Sequence, residues 1–70
     1  MTLVDLCKSQ KENEEKYKFV IYFEGNDVIN TSVKITFKQL LSIIGLSLEN
    51  RKIEYKVYKH NIVIIEIKDS

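Results

Sequence analysis

The sequence of 70 residues contains no proline or tryptophan, one cysteine and one histidine. A lone cysteine excludes an intrachain disulfide framework. Cys7 and His60 are 53 positions apart, and together they are too few for a structural zinc site, which takes four protein ligands. We therefore expect no metal or other cofactor, and a fold that depends on one small hydrophobic core.

The chain also lacks an excess of charge and a long hydrophobic run. Eleven basic and ten acidic residues leave a net charge of +1, which gives no large field towards nucleic acid or an anionic membrane. No apolar run approaches the length of about 18 residues that a transmembrane helix needs. The N-terminus has no basic segment followed by an apolar one, so no secretory signal is expected. These absences predict a cytoplasmic protein that does not engage a membrane.

The clearest local signal is a short helix in the middle of the chain. Thr36 and Gln39 form a Thr-x-x-Gln capping box, in which each side chain bonds the backbone of the other residue. Gly45 follows as a C-terminal cap that needs positive φ. Between the caps, one apolar stripe at helical spacing consists of Phe37, Leu40, Leu41 and Ile44. A helix of about two turns does not persist alone in water, so we expect it to lie on a sheet.

The first 16 residues form a separate segment in this interpretation. Thr2 and Asp5 have the spacing of a second capping box, and an apolar stripe begins at Leu3. Residues 8–16 are almost wholly polar. We therefore predict that residues 1–16 are an N-terminal helix or a flexible lead-in, followed by a ββαββ domain at residues 17–70.

Four segments predict strands: 17–24, 29–36 and 52–58, which alternate between the two faces of a strand, and the apolar segment 62–67. Turn-forming residues at 25–27 and 59–61 separate them into two hairpins. The last segment is apolar at nearly every position, which favours a central place in the sheet.

The predicted fold class is α+β, a small single domain of (α)ββαββ order. We expect a four-stranded antiparallel sheet with one short helix packed on one face. The predicted core consists of Tyr17, Phe19, Ile21, Phe23, Ile29, Val33, Ile35, Leu40, Leu41, Ile44, Val57, Ile65 and Ile67.

A second apolar set remains on the opposite side of the predicted strands. Exposed apolar surface on a small protein usually marks an interaction site. The predicted protein-binding residues are Val20, Tyr22, Tyr58, Ile62 and Ile64.

No arrangement of residues indicates catalysis. His60 lies in a predicted turn with no nucleophile beside it, and Cys7 lies on the apolar stripe of the first helix, where we interpret it as a small buried hydrophobe. Glu54 and Glu66 fit cross-strand charge pairing better than acid–base chemistry. Glycine-rich phosphate loops and nucleophile motifs are missing, so we do not expect an enzyme.

An alternative use of the sheet is single-stranded nucleic-acid binding. Tyr55 and Tyr58 alternate with basic residues, as in sheets that stack bases on aromatic rings. Lysines on an edge strand that block unwanted pairing give the same pattern. The residues of this alternative site are Arg51, Lys52, Lys56 and Lys59.

The function predicted from these features is a small non-enzymatic protein-interaction module. Codons for the abundant Ile, Lys, Asn and Tyr are AT-rich, and alanine and proline, whose codons are GC-rich, are missing. That usage suggests a phage- or mobile-element-encoded inhibitor or modulator that binds a larger host protein. The alternatives are the nucleic-acid-binding sheet and a homodimeric structural or accessory protein.

Overall fold

The computed structural model of the protein describes residues 1–68, and within them three helices accompany a four-stranded sheet. In chain order the elements are α1 (Leu3–Ser9), β1 (Lys18–Phe23), β2 (Asn26–Asn30), α2 (Phe37–Ile44), α3 (Leu46–Glu49), β3 (Ile53–Tyr58) and β4 (Ile62–Ile67). The predicted α+β class is confirmed. Asp69 and Ser70, which end the predicted 17–70 domain, lie outside the described residues.

The sheet has the strand order β2-β1-β4-β3. Each hairpin is antiparallel, but the two central strands run parallel, with Lys18 opposite Ile62 and Tyr22 opposite Glu66. The sheet is therefore mixed rather than wholly antiparallel as predicted. The central place of β4 is confirmed, and it leaves β3 at an edge.

The first hairpin turns earlier than its sequence suggests. Glu24 and Gly25 have φ values of +52° and +83°, which form a two-residue turn of the kind that matches strand twist. β2 consequently begins at Asn26 and ends at Asn30, with a bulge in its register opposite β1. Val33 falls beyond the strand and is 67% exposed, so its predicted place in the core is wrong.

Both predicted capping boxes are present. In α2, the Gln39 amide donates to Thr36 Oγ1 at 3.1 Å and the Thr36 amide donates to Gln39 Oε1 at 2.9 Å. In α1, Thr2 and Asp5 exchange the equivalent pair of bonds at 3.2 Å. The bond from Thr2 holds the pKa of the Asp5 carboxyl below its usual value, because it favours the charged form.

The helices and one sheet face share a single core. Helix residues in it include Leu3, Leu6 and Leu40, and sheet residues include Phe19 and Ile65, all of them buried. The Phe37 ring meets those of Tyr17 and Phe19 edge to face, the Tyr17 and Phe19 rings are tilted, and the ring centroids are 5.0–6.0 Å apart. Such ring contacts stabilise the fold by more than the burial of their apolar area alone.

The polar segment between α1 and β1 is attached at both of its ends. The Asn13 side chain donates to the Tyr17 hydroxyl at 3.2 Å. The Asn61 side chain donates to Glu15 Oε2 and to the Lys16 carbonyl, each at 2.9 Å. These bonds hold residues 13–16 against the sheet and the turn that precedes β4.

The N-terminus lies along the start of β3. The Leu3 amide donates to the Arg51 carbonyl and the Ile53 amide donates to the Met1 carbonyl, both at 3.0 Å. Thr2 accordingly stands opposite Lys52 in an antiparallel bridge. The outer side of β3 is thus covered at Arg51–Ile53.

Candidate protein-binding face

One face of the sheet carries no helix among the described residues. Phe19, Ile21, Val63 and Ile65 point towards the helices and belong to their core. Because side chains alternate along a strand, the residues between them point the other way. We call this second side the open face, and its apolar members are Val20, Tyr22, Tyr58, Ile62 and Ile64.

The strand register brings these five predicted residues together. Val20 lies directly opposite Ile64 across the parallel central pair. Tyr58 lies directly opposite Ile62 across the antiparallel β3–β4 pair. The structure therefore unites three strands in one apolar strip, which no single hairpin could supply.

The five residues differ in how much surface they offer. Val20 is 7% exposed, although no helix covers it, because its neighbours in the sheet surround it. Tyr22, Ile62 and Ile64 are half-buried, and Tyr58 is 50% exposed. Tyr58 is thus the most accessible of the five, and Val20 serves mainly to support its neighbours.

Charges of both signs lie beside the apolar strip. Glu54 is opposite Glu66 across β3 and β4, and Lys68 Nζ lies 3.0 Å from Glu66 Oε1 and 3.9 Å from Glu54 Oε1. The hydrogen bond to Glu66 raises the pKa of the Lys68 ammonium. The interpretation of this carboxylate pair as cross-strand charge pairing is confirmed. The sequence already indicates Lys68 as a neighbour of these two glutamates, and its spacing of two from Glu66 puts it on the same face.

A shallow depression of about 300 Å³ lies where the strip meets these charges. It is lined by Glu54, Tyr55, Lys56, Tyr58, Ile64 and Glu66. An aromatic ring, an aliphatic side chain and both signs of charge are therefore available to one ligand surface.

The four basic residues of the nucleic-acid alternative are not gathered in one patch. The Arg51 guanidinium lies 5.3 Å from the centroid of the Phe23 ring, which packs against the helix side of the sheet. Lys56 lies on the open face, with Nζ 6.0 Å from the Tyr58 ring. Lys52 stands beside Thr2 before β3 begins, and Lys59 is in the turn after β3. Arg51 and Lys59 are eight positions apart, or about 26 Å along an extended chain.

The two candidate catalytic side chains lie apart from each other. Cys7 is fully buried in the core, which confirms its interpretation as a small hydrophobe. His60 has φ +65° in the turn between β3 and β4. Among residues 1–68, no group of three or more His, Cys, Asp or Glu side chains could hold a metal ion.

Burial raises the pKa of the Cys7 thiol to about 11, from 9.0. At any pH below 9 the thiolate fraction is then about 100-fold lower than in the unfolded chain, and the thiolate is the reactive form. We expect alkylation by iodoacetamide to be at least that much slower in native protein than in urea. Alkylation at equal rates in the two states would contradict this placement of Cys7.

The same pKa shift predicts a pH dependence of stability. Below pH 9 the thiol is protonated in both states, whereas between pH 9 and about 11 only the unfolded thiol ionises. Stability should therefore fall as pH rises through this range. Urea unfolding of the native chain and of Cys7→Ala at pH 8 and pH 10.5 isolates the contribution of the thiol.

No helix within residues 1–68 combines the length and the apolar character needed to span a bilayer. Comparisons with protein-family models, with curated proteins and with solved structures find no match to the chain. The open face is therefore the main structural indication of function in residues 1–68.

Proposed function

We propose that the chain is a non-enzymatic protein-interaction module that binds a larger protein through the open face. The observation that supports this proposal is the strip of Val20, Tyr22, Tyr58, Ile62 and Ile64 on a sheet side that carries no helix among the described residues. An exposed apolar patch with a polar rim is typical of interaction sites.

The side chains of the open face indicate which kind of partner surface would be complementary to it. Tyr58 provides a large contact area with few torsions to freeze, which suits it to be an anchor. Ile62 and Ile64 form an apolar centre beside it, and Glu66 and Lys56 provide charges at the rim. The partner is then expected to present an apolar patch with a mixed-charge border.

Blocking or modulating the partner is the simplest consequence of covering such a patch. A protein that only binds acts by occupying its partner's surface, and a preference for amino acids with AT-rich codons is common in phage and mobile elements. We therefore extend the proposal to an inhibitor or modulator of a host protein, encoded by such an element.

The test begins with capture of the partner from nuclease-treated host lysate, followed by direct titration of the purified pair. The double variant Tyr22→Ala with Tyr58→Ala should weaken binding at least about 30-fold, since one hot spot of about 2 kcal/mol has that effect. Ile43→Ala is the control, because Ile43 is as exposed as Tyr58 but lies on α2, on the helix side of the sheet. Unchanged affinity of the double variant would refute the proposed site.

Nuclease treatment separates this function from the nucleic-acid alternative. If nucleic acid is recovered instead, its affinity should fall steeply with salt concentration and with substitution of Lys56. A protein partner whose binding survives nuclease and depends on the tyrosines supports the interaction module.

A further inference from the structure

The second half of β3 exposes apolar side chains on both of its faces. Tyr55 is 43% exposed and Val57 is 53% exposed on the helix side, and Tyr58 is exposed on the open face. β3 is also an edge strand. An edge of this character is a template for pairing with another strand.

The backbone of this segment offers hydrogen bonds to such a strand. The Lys68 amide donates to the Lys52 carbonyl at 2.8 Å, so the backbone carbonyl of Lys52 points towards β4. Backbone direction alternates along an antiparallel ladder, and the outward bond of Ile53 to Met1 agrees with this alternation. The N–H and C=O groups of Tyr55 and Val57 therefore point outward, where no strand of the described residues lies.

The other edge of the sheet is protected. Three of the five residues of β2 are polar, Asn26, Asp27 and Asn30, and the strand carries the bulge. Polar residues and bulges are the features by which natural sheets prevent edge pairing. Within residues 1–68, the edge at Tyr55–Tyr58 combines outward backbone groups with exposed apolar side chains on both faces, whereas β2 exposes Val28 beside its polar residues.

We propose that this edge pairs with the same edge of a second copy of the chain, antiparallel, with the two-fold axis at Val57. The two copies would exchange the N–H···O=C bonds of Val57. Lys56 would then lie opposite Tyr58 of the second copy, where a cation over an aromatic ring is favourable. Both faces of the edge gain contacts in this register.

Two other registers, centred on Tyr55 and on Lys56, are disfavoured by residues already in place. Centring the pair on Tyr55 would place Val57 of the second copy opposite Ile53, whose amide is bonded to Met1. Centring it on Lys56 would set two Lys56 side chains directly opposite each other, and like charges there are destabilising. The Lys56–Tyr58 contact and the cost of these two registers therefore favour pairing with a second copy centred on Val57.

Pairing about an axis perpendicular to the sheet keeps the two open faces on the same side. The dimer would contain an eight-stranded sheet with one continuous open face. This inference rests on the edge of β3 and holds whether or not the open face binds a larger protein.

Sedimentation velocity of the full chain over a rising concentration series tests the association. We expect reversible dimerisation, and we expect Val57→Lys to raise the dissociation constant at least tenfold by placing two ammonium groups side by side. Val33→Lys makes the same substitution at an exposed loop position and should leave the dimer unchanged. A chain that stays monomeric at every concentration would overturn the proposal.

Cysteine cross-linking tests the register. In the Val57-centred pair, two residues 57 stand with Cα atoms about 5.5 Å apart, within the range of a disulfide, so Val57→Cys should give a covalent dimer on mild oxidation. Two residues 55 stand about 13 Å apart along the strand, so Tyr55→Cys should not. The buried Cys7 does not compete.

Each contrary outcome has a distinct meaning. Efficient cross-linking of Tyr55→Cys, or of Lys56→Cys, in place of Val57→Cys would reject the proposed register. A dimer that survives Val57→Lys and is lost on Ile64→Lys would place the contact on the open face and reject the edge. Circular dichroism of each variant confirms that it retains the native fold.

Discussion

Replacement of Phe19 by alanine should destabilise the fold by about 3–5 kcal/mol, the usual range for a buried aromatic residue. Phe19 is fully buried on central strand β1, and its ring contacts those of Tyr17 and Phe37. The substitution removes both ring contacts and opens a cavity between the sheet and α2. Because one core of this size contributes a net stability of about 3–5 kcal/mol, most of the variant should be unfolded at room temperature.

Urea unfolding followed by circular dichroism measures this effect. Phe19→Leu keeps most of the volume and should stay folded at a lower midpoint, which allows a quantitative comparison. Tyr58→Ala removes an aromatic side chain from the exposed end of β3 and should change stability by no more than about 0.5 kcal/mol. A Phe19→Ala variant with a native midpoint would contradict the central role of the aromatic cluster.

Replacement of Leu6 by alanine should destabilise the protein by about 2–5 kcal/mol. Leu6 is buried in the middle of α1, within the cluster that contains Phe19 and Ile65. If α1 unfolds together with the rest of the protein, weaker packing of α1 lowers the free energy of unfolding of the whole chain. The measurement is again the urea midpoint, with the slope of the transition as a check on two-state behaviour.

Lys8→Ala is the control for this experiment, since Lys8 lies exposed on the same helix. A small effect of Leu6→Ala together with a normal slope would mean that residues 1–16 are an appendage and that the sheet and α2 are stable without them. The experiment therefore tests the division of the chain at residue 17 that the sequence indicates.

Local features of the fold could be predicted because their determinants lie within a few residues. The bounds of α2 follow from Thr36, Gln39 and Gly45, and the structure shows both capping bonds and the positive φ of Gly45. The turn at residues 59–61 was likewise predicted, and His60 has positive φ there.

Strand order could not be predicted, because it depends on contacts between distant segments. The alternating pattern of side chains in residues 52–58 fits a central strand and an edge strand equally well, so it does not indicate the position of β3 in the sheet. Val57 was predicted in the core, and the prediction is wrong because β4 takes the central position beside β1 and leaves the second half of β3 exposed at the edge of the sheet. Ile53 is buried where the N-terminus lies along the start of β3, and Val63 is buried on the central strand; neither was among the predicted core residues.

The candidate site was predictable to the same extent. A period of two placed Val20, Tyr22, Ile62 and Ile64 on the side away from the core, and the structure confirms that placement. The sequence does not show that the two central strands, β1 and β4, lie side by side. Only the strand order of the structure shows that they join the two halves of the strip. The spread of the basic residues along β3 has the same origin, since neighbours in sequence are far apart on an extended chain.

The parallel contact between β1 and β4 also constrains the order in which the protein can fold during its synthesis. The strand that completes the sheet follows β1 by about forty positions, so the first hairpin and α1 leave the ribosome before the surface they pack against exists. Until β4 emerges, Phe19 and Ile21 lack their neighbours Val63 and Ile65, and the core beneath the helices is incomplete. Nascent chains stalled while β4 is still inside the ribosomal exit tunnel should therefore be captured by chaperones or cleaved by proteases, and chains stalled on a C-terminal linker long enough to bring β4 out should escape both.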